Sequence, residues 1–200
     1  MSDVGEGNGG NYSVAYVYDR LKDQFVCRMR TNRVDADEWA FLLIMLAVFY
    51  NKTKLCVERV GPGFTTITTL QKRYSNLYIN RREGRTSGTW GKEYGFVTTD
   101  HTKRLIIDNL KAHFRDIFDY VPCPLLLDES STFIQVEGTL KLRAEPGKHD
   151  DCVMAAALTL QCSKTLPAVT TFEEKKETGW RETLWGDPQD DYKLYDVSVM

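Results

Sequence analysis

Gly147-Lys148-His149-Asp150-Asp151 runs directly into the apolar stretch Cys152-Val153-Met154-Ala155-Ala156-Ala157-Leu158-Thr159-Leu160. The apolar stretch reads as a helix and the acids as its opening, because an Asp before or at the first helical position satisfies free backbone N–H groups and suits the helix dipole. One acid is enough for that. Two stand here, with a histidine beside them. Either the second carboxylate is a solvated neighbour, or it points inward to hold a divalent cation, and the latter needs more acids from elsewhere in the chain.

Working outward, 200 residues at 42% hydrophobic and 27% charged fit one domain with a proper core. No apolar run approaches the ~20 residues of a membrane span, and Met1-Ser2-Asp3-Val4-Gly5-Glu6-Gly7 lacks a signal-peptide pattern, so a soluble intracellular chain is expected. The five cysteines (Cys27, Cys56, Cys123, Cys152, Cys162) are scattered singly, which suggests neither a disulfide framework nor a zinc site. The net charge of −2 hides an uneven distribution: residues 72–115 hold ten Lys/Arg against four acids. A basic middle beside clustered acids suits a binder of phosphate backbones, although solvated faces give the same pattern.

In chain order, the glycine-dense loop 3–10 leads to two strands, 12–18 and 25–29, expected to pair as an antiparallel hairpin. From Asp35, Trp39, Leu42, Leu43, Leu46 and Phe49 recur at helical spacing over 36–50. A short strand over 54–57 places Glu58 at its carboxyl end, where functional crevices of open α/β sheets lie. A helix over 64–74 and a strand over 77–79 follow, and the arginine-rich stretch 80–91 reads as a mobile loop. Thr99 or Asp100 caps a helix with Ile106, Ile107, Leu110, Phe114 and Ile117 on one face. The segments 133–136 and 140–143 read as a last hairpin around Glu137-Gly138. Residues 1–166 form one domain in this reading, and 167–200, with eight acids against four bases from 172 onward, an acidic, aromatic-dotted appendage. The chain contains no P-loop motif.

Three acidic spots stand out by position: Asp3 before the glycine loop, Glu58 at a strand end, and Asp150-Asp151 at the helix opening. Phosphodiester cleavage needs a strong nucleophile at neutral pH and neutralisation of the leaving oxygen. Two Mg²⁺ or Mn²⁺ ions about 3.5–4 Å apart supply both, held by hard oxygen ligands from separate elements. With twenty-eight acids in the chain, spacing alone does not single out this triad.

The ordered set Asp3-Val4-Gly5-Glu6-Gly7 with Gly10, Tyr12 and Ser13, Val57-Glu58-Arg59 with Gly61-Pro62-Gly63, Tyr94-Gly95-Phe96 through 103–111, and Gly147 with His149-Asp150-Asp151 and Val153-Met154-Ala155 resembles the nuclease domain of tailed-bacteriophage large terminase subunits. The resemblance spans residues 3–161 in order. It implies an α/β, ribonuclease H-like mixed sheet, an antiparallel hairpin plus parallel strands, flanked by helices. It also implies a two-metal acidic site, with two divalent cations (Mg²⁺ or Mn²⁺), that cuts double-stranded viral DNA concatemers during genome packaging. By motif position Asp3, Glu58 and Asp151 would be the metal ligands, with Asp150 the alternative to Asp151 and His149 and Asn11 adjacent. Arg81, Arg82, Arg85, Lys92, Lys103, Arg104 and Lys111 would hold DNA phosphates. Implied partners are double-stranded DNA, the portal protein and the small terminase subunit, in the bacterial host cytoplasm and transiently at the procapsid portal. No membrane is implied.

Two departures qualify the resemblance. Asn11 follows Gly10 where the family commonly has Asp, which removes a negative charge near the expected ions. Only Met1-Ser2 precede Asp3, so the first strand is short, and the packaging ATPase is expected elsewhere. Two competing readings follow: a catalytically impaired DNA-binding or portal-docking module, and a resolvase or transposase relative.

Overall fold

The computed structural model describes residues 2–82, 91–116, 123–139, 141–167 and 195–198; for 81, 82, 91, 92 and 195–198 it describes the backbone alone. It is a mixed α/β structure. Strands β1 (Ser2–Asp3), β2 (Ser13–Asp19) and β3 (Gln24–Thr31) are joined by antiparallel pairing, with a register shift between Val17 and Tyr18. Helices α1 (Ala36–Phe49) and α2 (Gly63–Gln71) follow, then a hairpin of β4 (Ile79–Arg82) and β5 (Gly91–Tyr94). Next come α3 (Asp100–Asp116), α4 (Pro124–Ser131), the hairpin of β6 (Phe133–Gln135) and β7 (Leu142–Ala144), and α5 (Asp151–Thr165). Strand β8 (Tyr195–Ser198) closes the order β1-β2-β3-β8, parallel to β3.

On its other side β1 meets segment 55–58. Ser2 bridges Val57 in parallel, donating its N–H to the Cys56 carbonyl (2.9 Å) and accepting from the Glu58 N–H (3.0 Å). Leu55 bridges Leu77, and Glu58 bridges Phe96, both in parallel. The two-residue β1 is therefore interior, with the hairpin on one side and segment 55–58 on the other.

Side chains alternate across this sheet as the period of two requires. Ala15, Met29, Leu55 and Val57 pack with Trp39, Leu43, Ile67 and Leu70 of α1 and α2. Val14, Tyr16, Phe25 and Cys56 pack on the other face with Ile106, Ile107 and Leu110 of α3, Leu126 of α4 and Val153 to Leu158 of α5. Every residue from Asp151 to Leu160 is buried, which explains why the helix is apolar all round rather than amphipathic. Ala155, Ala156 and Ala157 let it lie close between the sheet and α3 and α4. No described helix is long and apolar enough to cross a membrane.

Several elements differ from the sequence expectation. The arginine-rich stretch 80–91 is not simply a loop, because its ends continue into the β4–β5 ladder; residues 83–90 lie outside the described residues. Helix α4 is an addition. Proline at its first turn fits a helix start, but eight residues are too few to show periodicity. Of the expected appendage 167–200, Tyr195–Ser198 are a sheet strand, while 168–194 lie outside the described residues. Thr99, rather than Asp100, caps α3, accepting from the Thr102 N–H at 3.2 Å. Ile117 lies outside the described residues.

Candidate active site at the strand ends

The alternation that places Ser2 on the α1 face turns Asp3 to the α5 face. Since Ser2 pairs with Val57 in parallel, Asp3 and Glu58 are side by side, and Cys56, two residues before Glu58, already packs on the α5 side. Asp151 opens α5 on that same face. Asp3 and Glu58, where β1 bridges segment 55–58 in parallel, and Asp151, at the opening of α5, thus lie on one face although remote in sequence.

The electrostatics reflect the meeting. The Asp3 carboxyl is held well above the usual carboxylate range, first by burial, then by Glu58, both as a nearby charge and as a hydrogen-bond partner, and then by Asp151. Burial and a neighbouring carboxylate both disfavour the charged form of Asp3, so its carboxyl holds its proton above the ordinary range. Asp151 is pushed up to about 6, mainly by burial, with Glu129 and Asp150 adding to the shift and the Tyr12 N–H and His149 opposing it. Among the described residues no Lys or Arg forms an ion pair with Asp3 or Glu58; Arg59 turns to Glu93 (3.1 Å) and Lys103 to Asp150 (3.3 Å).

Glycines press the acids into place. A Cβ on Gly63, at the start of α2, would collide with the Glu58 carbonyl oxygen, and one on Gly95 (φ +82°) would lie 2.6 Å from the Val57 oxygen. Gly5 donates to Ser13 Oγ at 3.0 Å, and Gly9 donates to the Asn32 carbonyl at 3.0 Å, which ties the loop after Asp3 to the hairpin.

The remaining expected residues take varied places. Asp150 holds the N-cap position of α5 without a side-chain capping bond and pairs with Lys103 instead. His149, 43% exposed, stands edge-on to the Tyr12 ring (5.1 Å) with Nδ1 3.5 Å from Asp151 Oδ2. Asn11 is exposed in the loop, its carbonyl against Gly5. Lys103 belongs to α3 and reaches this site, whereas Arg104 and Lys111 lie exposed on the same helix, with Lys111 4.0 Å from Asp108. Arg81 pairs with Lys92 across the β4–β5 ladder, next to Arg82; their side chains and all of Arg85 lie outside the description.

Nothing in the sequence marks the residues that surround Asp151. Glu129 of α4, 7% exposed, accepts from the Cys152 N–H (2.6 Å) and the Val153 N–H (3.4 Å). Arg30 of β3 lies over the Tyr12 ring at 3.3 Å and reaches Glu129 at 3.6 Å. The only available signal is the alternation that puts Arg28 and Arg30 on the face of Tyr16.

An all-oxygen, negatively charged donor set suits a hard divalent cation. Asp3 and Glu58 meet this requirement together, and Asp151 faces them within electrostatic reach. As they stand, no three His, Cys, Asp or Glu side chains among the described residues converge tightly enough to hold one ion. No protein-family model matches the sequence, and no curated protein matches it.

Proposed function

We propose that this chain is a metal-dependent endonuclease of ribonuclease H-like fold, the nuclease part of a phage large terminase, which cuts double-stranded concatemeric viral DNA during genome packaging. The observation that carries this reading is the Asp3–Glu58 carboxyl pair where β1 bridges segment 55–58 in parallel, with Asp151 close enough to raise the Asp3 carboxyl further. A mixed sheet with an antiparallel hairpin and parallel bridges, flanked by helices, agrees with such a fold. Portal protein and small terminase subunit would be its partners, in the host cytoplasm.

Two bound Mg²⁺ or Mn²⁺ ions would supply a hydroxide nucleophile and neutralise the leaving oxygen. The chain's own residues do the rest. Asp3 and Glu58 would hold the ions through their carboxylates, and Asp151 would offer a carboxylate oriented by the Tyr12 N–H (3.1 Å). Lys103, Arg104 and Lys111 along α3 attract the phosphate backbone. The competing reading is a catalytically impaired DNA-binding or portal-docking module; the bonding of Ser2 to segment 55–58 through both its N–H and its carbonyl, next to Asp3, favours the nuclease.

Incubating supercoiled plasmid with purified protein and Mn²⁺ or Mg²⁺ tests the reading. Nicked or linear product is expected, lost in Asp3→Asn and Asp151→Asn. Cleavage unchanged in both variants would exclude this site. Salt-sensitive DNA retention without cutting at any metal concentration would favour the binding module.

A further inference from the structure

Helix α5 is capped from another helix. Its first turn directs the Cys152 and Val153 N–H groups at Glu129 Oε2 on α4, while Asp150, in the position to cap, is drawn away to Lys103. A carboxylate this buried is costly unless its charge is balanced. The positive end of α5 balances part of it, and Arg30, 3.6 Å from Oε1, balances the rest. The same guanidinium lies over the Tyr12 ring, its carbon 3.3 Å from the ring centroid, and the Tyr12 backbone N–H donates to Asp151 Oδ2. Arg30 thus joins two supports of one residue: Glu129 fixes where the helix bearing Asp151 begins, and Tyr12 fixes how the Asp151 carboxyl is turned. Both side-chain contacts of Asp151, from Tyr12 and from His149, fall on Oδ2. Among the described residues none falls on Oδ1.

We propose that Glu129 and Arg30 are positioning residues for Asp151, a brace that leaves Oδ1 of that carboxylate free for a divalent cation. This deepens the nuclease reading and rests on it for the identity of the ligand. Glu129 meets the helix N–H groups through Oε2, while its buried Oε1 has no hydrogen-bond partner among the described residues and faces Arg30 at 3.6 Å. Outer partners of this kind typically weaken metal binding about 10–100-fold when removed.

The test uses the full chain, with Mn²⁺ alone as the probe in calorimetric titration. Circular dichroism melting establishes that each variant is folded at the titration temperature. Glu129→Ala and Arg30→Met are expected to weaken Mn²⁺ binding about 10-fold or more. Glu129→Gln keeps an oxygen for the Cys152 N–H and should stay within about 3-fold of wild type, since the cap bond survives loss of the charge. A second readout is independent of metal: hydrogen exchange of the Tyr12 N–H, which donates to Asp151 Oδ2, should quicken in Glu129→Ala and in Arg30→Met by more than their change in global stability. Variants that melt lower but keep wild-type Mn²⁺ affinity and wild-type Tyr12 exchange would overturn the brace. If the wild-type chain binds no Mn²⁺, the nuclease reading fails, and Tyr12 exchange alone then decides the brace: faster exchange supports it and unchanged exchange overturns it.

Discussion

The Trp39 indole N–H donates to Ser2 Oγ at 2.7 Å, with both residues fully buried. This bond ties the first helix to the shortest strand, one residue before Asp3. Trp39→Phe keeps most of the ring but leaves the buried Ser2 hydroxyl without that donor. A loss of about 1–3 kcal/mol in stability is expected in denaturant unfolding. Metal-dependent cleavage should fall further than stability alone explains, because Asp3 follows directly on the loosened residue.

Gly63→Ala forces a Cβ onto the Glu58 carbonyl oxygen. Since that oxygen belongs to backbone, α2 or Glu58 must shift. Overpacking of this kind costs about 1–3 kcal/mol. The expected outcome is a folded protein with sharply reduced Mn²⁺-dependent nicking. Wild-type nicking in the folded variant would mean that the contact with Glu58 does not matter.

Asp151 sets a pH dependence. Its carboxyl titrates at about 6 in the folded chain against 3.8 in its ordinary state. The folded state therefore holds the proton more tightly, and stability is present at low pH and lost as pH rises through this window. At 1.36 kcal/mol per unit, the loss is of order 2–3 kcal/mol between pH 4 and 7. The upward shift of Asp3 has the same sign. Thermal melting of the metal-free protein should therefore show a decline in stability from this group on going from pH 5 to 7.5. Asp151→Asn should flatten that slope, and Mn²⁺ should offset the loss at the higher pH.

Buried His113 makes edge-on contacts with Tyr18 and Phe25, and its Nε2 has no hydrogen-bond partner among the described residues. Burial lowers its pKa, so the folded chain keeps it neutral. That contribution to stability is present above the ordinary His range and falls as pH drops through it. His113→Phe retains the ring contacts and removes the unpartnered nitrogen. It should melt at or above the wild-type temperature and show a weaker loss of stability between pH 7 and 5.

Arg104 and Lys111 are exposed on α3 and serve as phosphate contacts in the nuclease reading. Replacing either with Ala should reduce the slope of log affinity against log salt by about 1, uniformly across DNA sequences. Slopes unchanged in both variants would remove this face of α3 from the DNA path.

Much of the fold is legible locally. Asp35 with Glu38, whose carboxyl reaches back to the Asp35 N–H at 3.4 Å, signals the start of α1; of its expected apolar face Trp39 and Leu43 are buried, Leu42 and Leu46 half-buried, and Phe49 is exposed, while Ala40 and Ala47 complete the buried stripe. The hairpin β2–β3 follows from its β-branched and aromatic content. The glycines around Glu58 are legible as a motif, but their reason, contact with the carbonyls of Glu58 and Val57, exists only once α2 and the sheet meet. What is not legible depends on remote partners. Glu129 in Asp128-Glu129 looks like a solvated acid, and only the arrival of α5, more than twenty residues on, buries it. Strand β8 takes its identity from the open edge of β3, which no local pattern near Tyr195 announces.

The central claim is that Asp3, Glu58 and Asp151 form one cation site. Crystals soaked in Mn²⁺ and measured for anomalous scattering test it most directly. One or two peaks liganded by oxygens of all three carboxylates, with Glu129 outside the coordination sphere, are expected. Absence of any peak between Asp3, Glu58 and Asp151 at saturating Mn²⁺, or ions bound only at other acids, would contradict it.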